Sequence, residues 1–217
     1  MSPPPENDPT RSRLIDAAGA VFADRGYQAA TIREICTRAG ANIAAVNYHF
    51  RDKMGLYIAV LQESMCAGET EDVRRLMADP ARSPEEALGL LIGGMLHRMY
   101  RAGERGSWHL RIMAHELAQP TPALSRVVDE VIGPRYAALR QILSRITGAS
   151  PDDEITRLCA HSVIGQVVHY AHARPVIERL WPDFQITKER VDQVAAHITE
   201  FSLCAIRAMQ KTQRTLR

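Results

Sequence analysis

Apolar residues return at every third or fourth position from Leu14 to Ala205, and nowhere does an alternation of period two persist for more than a few residues. A period near 3.6 buries one stripe of a helix, whereas a half-buried strand needs a period of two, so the core of this chain must be built from helices. The punctuation agrees. Asp8-Pro9 and Thr10 supply start signals for a helix with the stripe Leu14, Ala17, Ala18, Val21 and Phe22, and Gly26 suits its end because glycine takes left-handed backbone without steric cost. Thr31 opens a short helix that Gly40 stops, Asn42 opens another, and Asp52 opens a longer one carrying Leu56 and Val60. Four helices thus fill the first third.

Further along, Ser83-Pro84-Glu85-Glu86 combines a capping serine, a proline at the first helical position and a glutamate at the third, which predicts a capping box and a helix to about Arg101. The turn from Gly103 to Gly106 leads to Ser107 and a helix reaching Ala118. Pro120-Thr121-Pro122 starts the next, and Gly133-Pro134 is expected to kink or split it, because proline removes an internal hydrogen bond. Ser150-Pro151-Asp152-Asp153 opens a helix to about Ala173, ended by Arg174-Pro175. Thr187 opens the last one, which fades near Lys211.

Composition narrows the function classes. With 217 residues, 46% hydrophobic and 24% charged, the chain is long enough for a sizeable core and lacks the high charge and low hydrophobicity of a disordered protein. A net charge of +2 does not by itself advertise nucleic acid. Between Thr10 and Val60 the basic residues Arg11, Arg13, Arg25, Arg33, Arg38, Arg51 and Lys53 outnumber the acids Asp16, Asp24, Glu34 and Asp52, a mild local excess. Cys36, Cys66, Cys159 and Cys204 form no paired motif, which argues against a zinc ribbon and fits a reduced, cytoplasmic setting. Residues 1–9 lack a basic start and an apolar stretch and read as a disordered leader. The longest apolar run, Ala87 to Leu96, is about half the ~20 residues a membrane span needs, so no membrane partner is expected.

The most informative stretch runs from Thr31 to Phe50. Two helices this short are marginal alone, since isolated helices below about a dozen residues do not persist in water, so they must pack on a neighbour. Ile32 and Ile35 on the first, with Val46 and Phe50 on the second, supply inward faces towards the helix bearing Val21 and Phe22, and Gly40 lets the chain turn. Outward on the second helix are left Ala44, Ala45, Asn47, Tyr48 and His49, with no acid among them. That composition suits a phosphate-lined major groove.

In Thr31, Ile35, Ala39, Gly40, Asn42, Val46, Tyr48, His49, Phe50 and Lys53 the stretch resembles the TetR family of regulators. Ala41, Asn42 and Ala44 stand where that family usually has Val, Ser and Gly, and Ala44 limits how closely the backbone can approach a base edge. The segment His115 to Pro122, together with the helix start Asn42-Ile43-Ala44-Ala45, is similar to the CecR-like branch. The resemblance implies an all-α fold in which a leader at 1–9 precedes a three-helix DNA-binding domain at 10–56. A helical bundle at 57–217 would then serve dimerisation and ligand binding. It implies phosphate contacts from Thr31, Asn42, Tyr48, His49 and Lys53, and base contacts from Ile43, Ala44, Ala45 and Asn47, with Arg33 reaching the groove. Chemistry is compatible, because Asn pairs with adenine and small apolar groups touch a thymine methyl.

The partners so implied are double-stranded DNA with a near-palindromic operator, a second copy of the chain and a small apolar effector that releases a repressor. Two striped helices supply candidate dimer faces, one with Ile155, Leu158, Cys159, Ser162, Gly165 and Val168 and one with Val191, Val194, Ile198, Phe201 and Ala205, which could equally pack within one chain. Met95, Met99, Trp108, Ile112, Met113 and His161 are candidate ligand walls, with Glu116 as a polar anchor, because methionine fills irregular space easily. The same residues at helical spacing also suit plain core. The competing class is an all-helical metal-binding protein or enzyme. The eight histidines support it only weakly: no Glu-x-x-His or His-Glu-x-x-His occurs, and no Gly-x-Ser-x-Gly or phosphate loop, so no metal, cofactor or catalytic residue is expected.

Overall fold

In a computed structural model that describes residues 8–66, 82–100 and 104–215, the regular elements among those residues are all helical. They are α1 (Pro9–Ala29), α2 (Ile32–Ala39), α3 (Ile43–Phe50), α4 (Lys53–Cys66), α5 (Pro84–Met99), α6 (Glu104–Ala118), α7 (Ala123–Val127), a π turn (Val128–Ile132), α8 (Gly133–Thr147), α9 (Glu154–His172), α10 (Arg174–Leu180) and α11 (Lys188–Thr215). None is long and apolar enough to cross a membrane. The expected leader lies almost wholly outside the described residues.

The chain falls into two compact units. The first holds α1 to α4 and also α6, α7 and the π turn; the second holds α5 and α8 to α11. This differs from a division at residue 56/57, and the reason is long-range burial. Leu14, Phe22, Ile35, Val46, Leu56 and Leu61 share one core with Trp108, Ile112, Val127 and Val131. At the tightest point the indole of Trp108 lies on Gly19, where an added Cβ would come within 2.1 Å of a ring carbon. Only a residue without a Cβ lets α1 and α6 approach so closely. Lower down, the His115 ring covers Gly26, whose φ of 70° kinks α1 at the position where the sequence expects the helix to end.

Local start and stop signals act where expected in the first unit. The Asp8 carboxylate accepts from the Thr10 amide at 2.7 Å, Thr31 Oγ1 from Glu34 N at 3.2 Å, Asn42 Oδ1 from Ala45 N at 2.9 Å and Asp52 Oδ1 from Gly55 N at 2.8 Å. Each satisfies an amide that the first helical turn leaves without a partner. Gly40 ends α2 in left-handed backbone with φ 59° and ψ 41°.

In the second unit, Leu88, Ile92, Leu96, Leu143, Val163 and Ile198 are fully buried together. The expected capping box is complete, with Glu86 N donating to Ser83 Oγ at 3.2 Å and Ser83 N to Glu86 Oε2 at 3.0 Å. Gly89 and Gly93 of α5 face Thr199 and Ala195 of α11, so the two helices cross closely over small side chains. The disruption expected at Gly133-Pro134 takes the form of the π turn just before it, a widening that accommodates a residue unable to donate.

Candidate nucleic-acid interface

The helix expected to meet DNA is α3, held by α1, α2 and α4 within the first unit. Val46 and Phe50 are buried beneath it, and Ala45 packs on the same core. Arg25 of α1 pairs with Glu34 of α2 at 3.0 Å, which ties α2 to the supporting helix. What remains outside is Ile43 at 53% and Tyr48 at 52% exposure, flanked by exposed Ala44 and Asn47. Small and apolar side chains of this kind, with an amide among them, are of the types that touch base edges in a groove. Thr31 and Arg33 are exposed at the start of α2, and Asn42 is exposed at the start of α3.

Of the expected phosphate contacts, Thr31 and Asn42 cap their own helices, and Lys53 and His49 have partners on other elements. Lys53 Nζ donates to the Gln28 carbonyl at 3.3 Å and sits 4.5 Å from the centre of the Tyr27 ring. Burial there pushes its ammonium below the ordinary lysine pKa. His49 is a clearer departure. The sequence places it on the outer face, but its side chain is only 3% exposed and turns towards the start of α1, with Nε2 3.6 Å from Asp8 Oδ2. Its ring lies beside both Tyr48 and Phe50. The Asp8 carboxyl is held below its usual pKa, first by the Thr10 amide and more weakly by His49. Nothing local in the sequence links Asp8 to His49; Asp8 reads there only as a helix start.

The residues expected to line a ligand site divide between the two units. Trp108, Ile112 and Met113 belong to the core of the first, Trp108 and Ile112 fully or nearly buried and Met113 partly so. Glu116, 1% exposed, accepts from Tyr57 Oη and Thr121 Oγ1, both at 2.8 Å, and from Thr121 N at 3.0 Å. Its two oxygens thus join α4 to the turn after α6, and the buried Tyr57 phenol is pushed far above its usual pKa by desolvation and by this carboxylate. In the second unit Met95 and Met99 are half-buried against the core, and exposed His161 lies 3.3 Å from the Tyr136 hydroxyl. A groove of about 770 Å³ runs between α5 and α11, floored by Gly89, Gly93, Ala195 and Thr199; it includes none of those three.

On the candidate dimer faces, Leu158 is 56% and Phe201 59% exposed, whereas Val168 is only partly so, and Gln166 Nε2 donates to Ser202 Oγ at 3.3 Å between the two helices. Among the described residues no group of three or more His, Cys, Asp or Glu side chains is placed to hold a metal ion.

Comparison with known proteins gives a consistent picture. Residues 14–60 match the family described as bacterial regulatory proteins, tetR family. Residues 84–209 match the C-terminal domain of the HTH-type transcriptional dual regulator CecR. The chain is 28% identical to the dual regulator CecR of Shigella flexneri over 204 residues, 89% of this chain and 91% of that one. It is 27% identical to the transcriptional repressor AcnR of Corynebacterium diphtheriae over 164 residues, 68% of this chain and 86% of that one. In fold it is similar to the regulator FadR of Bacillus subtilis, solved with stearoyl-CoA. The TM-score is 0.64 at 18% identity, covering 88% of this chain and 97% of that one.

Proposed function

This chain belongs to the TetR family of bacterial regulatory proteins, with a CecR-type C-terminal domain, and from that membership we propose how it reads DNA and is released from it. It is a DNA-binding transcriptional regulator. The observation that carries the reading is the outer face of α3, where Ile43, Ala44, Asn47 and Tyr48 are exposed on a helix of only eight residues that contains no acid. In our reading Ile43, Ala44 and Asn47 meet base edges, whereas Ala45, expected there too, packs on the core; Arg33 reaches the groove, and Thr31, Asn42, Tyr48 and Lys53 hold phosphates.

One helix of this size distinguishes few base pairs, so two copies would act together on a near-palindromic operator, with recognition helices about 34–36 Å apart. The exposed Leu158 and Phe201 favour α9 and α11 as the shared face, because apolar side chains of this size are rarely left in water on adjacent helices. We read the protein as a cytoplasmic repressor that a small, largely apolar effector removes from DNA. Met95 and Met99 are the candidate walls for it in the second unit, and AcnR, a repressor, is the relative that favours this sign.

The test is selection from a pool of random duplexes by the full-length protein. A recovered near-palindrome whose affinity falls steeply with salt is expected, since each neutralised phosphate contributes about 0.9 to the logarithmic slope. Recovery of no sequence above background would overturn the reading.

A further inference from the structure

We propose that His49 is a positioning residue rather than a phosphate contact: through Asp8 it fixes the recognition helix against the start of α1. This rests on the reading of α3 as the base-reading helix. Three observations support it. The His49 side chain is withdrawn to 3% exposure on a helix whose neighbouring Tyr48 is 52% exposed. Its Nε2 faces the Asp8 carboxylate at 3.6 Å, while its Nδ1 is buried without a hydrogen-bond partner among the described residues, so no ring nitrogen is offered to solvent. Asp8 is itself fixed, because its carboxylate accepts the Thr10 amide at 2.7 Å and thereby caps α1, with further hydrogen bonds from the Thr10 side chain and the Arg11 amide, while Oδ2 faces the imidazole.

The geometry explains what such a contact achieves. α3 is two turns long, and Val46 and Phe50 fix only its inner face by non-directional packing. Rotation about its own axis would move Asn47 and Tyr48 across the groove. A carboxylate anchored to α1 and facing a ring on α3 opposes that rotation, and it acts 41 residues away in sequence. Base recognition depends on side chains held within a fraction of an ångström, so a loss of this restraint should reduce discrimination between sequences more than attraction to DNA in general.

The experiment compares the full-length wild type with His49→Gln, Asp8→Asn and the double variant. Asn keeps the helix-capping oxygen at position 8 while removing the charge. Each is measured on the duplex recovered by selection with the wild type and on a scrambled duplex of equal length, over a range of salt. The ratio of the two affinities is the deciding quantity, because partial unfolding lowers both equally and leaves it unchanged. Both single variants should lower the ratio by roughly fivefold, and the double variant by no more than the worse single, as for two residues acting through one contact. The salt slope should stay that of the wild type.

A slope flattened by about one unit in His49→Gln, with Asp8→Asn binding more tightly, would make His49 a phosphate contact and overturn the proposal. Additive losses would overturn it too. If the wild type recovers no duplex at all, the DNA-reading assignment falls and this inference with it, an outcome distinct from either.

Discussion

At the level of single residues, exposure and partners separate side chains that a motif would treat alike. Asn47 is exposed on α3, so Asn47→Ala should leave stability alone and, if it reads a base edge, change preference at one base pair by about 1–3 kcal/mol. A competition series over all single-base variants of the selected duplex reads this directly, and an even loss across all positions would contradict it. Lys53 is different, because its ammonium already has the Gln28 carbonyl and the Tyr27 ring. If it also meets a phosphate, Lys53→Ala should lower affinity for every duplex and reduce the salt slope by about one. An unchanged slope would leave Lys53 as a strut between α4 and the end of α1. Thr31, Gly40 and Asn42 were legible from sequence because capping and left-handed turns are decided within four residues. His49 was not: its direction depends on Asp8, which no local pattern connects to it.

Between elements, the same contrast of local and distant causes recurs. The capping box at Ser83 and Glu86 could be read from four consecutive letters. That α6 packs on α1 could not, because an apolar stripe of Trp108 and Ile112 at helical spacing does not say which neighbour it meets. The packing makes a sharp prediction at Gly19. Alanine there would place a methyl 2.1 Å from the Trp108 ring, and overpacking of this kind costs about 1–3 kcal/mol. Gly19→Ala should therefore lower the denaturant midpoint, and pairing it with Trp108→Leu should recover part of the loss. The Glu116 network predicts a second effect on α4 and α6. Tyr57→Phe removes one donor from a buried carboxylate and should destabilise by about 1.5–3 kcal/mol, whereas the same change at exposed Tyr48 should not alter stability measurably. Equal midpoints for Tyr57→Phe and wild type would mean that Thr121 alone satisfies Glu116.

For the molecule as a whole, the helical class follows from periodicity, but the assignment of helices to compact units does not. A boundary placed after the recognition motif looks natural along the sequence, yet α6 and α7 complete the core beneath that motif. Association of two copies can be tested at this scale. Phe201→Glu would put a charge on the exposed face of α11, and if two copies associate there, sedimentation should show monomers under conditions where the wild type sediments as a dimer. Loss of operator affinity with retained weak binding to any duplex should accompany it. A dimer that survives both Phe201→Glu and Leu158→Glu would place the shared face elsewhere.

The interleaving of the first unit also bears on how the protein is made. When α1 to α4 first leave the ribosome, Trp108, Ile112, Val127 and Val131 are not yet available to cover Gly19 and the apolar side chains around it. At about 5–20 residues per second the missing half follows only several seconds later. Until then α1 to α4 sit on an unfinished core, so a nascent chain should hold α3 in place only once α6, α7 and the π turn have been made. A released fragment ending at residue 66 should accordingly be readily cleaved by protease, and adding residues 102–133 in the same chain should restore its resistance.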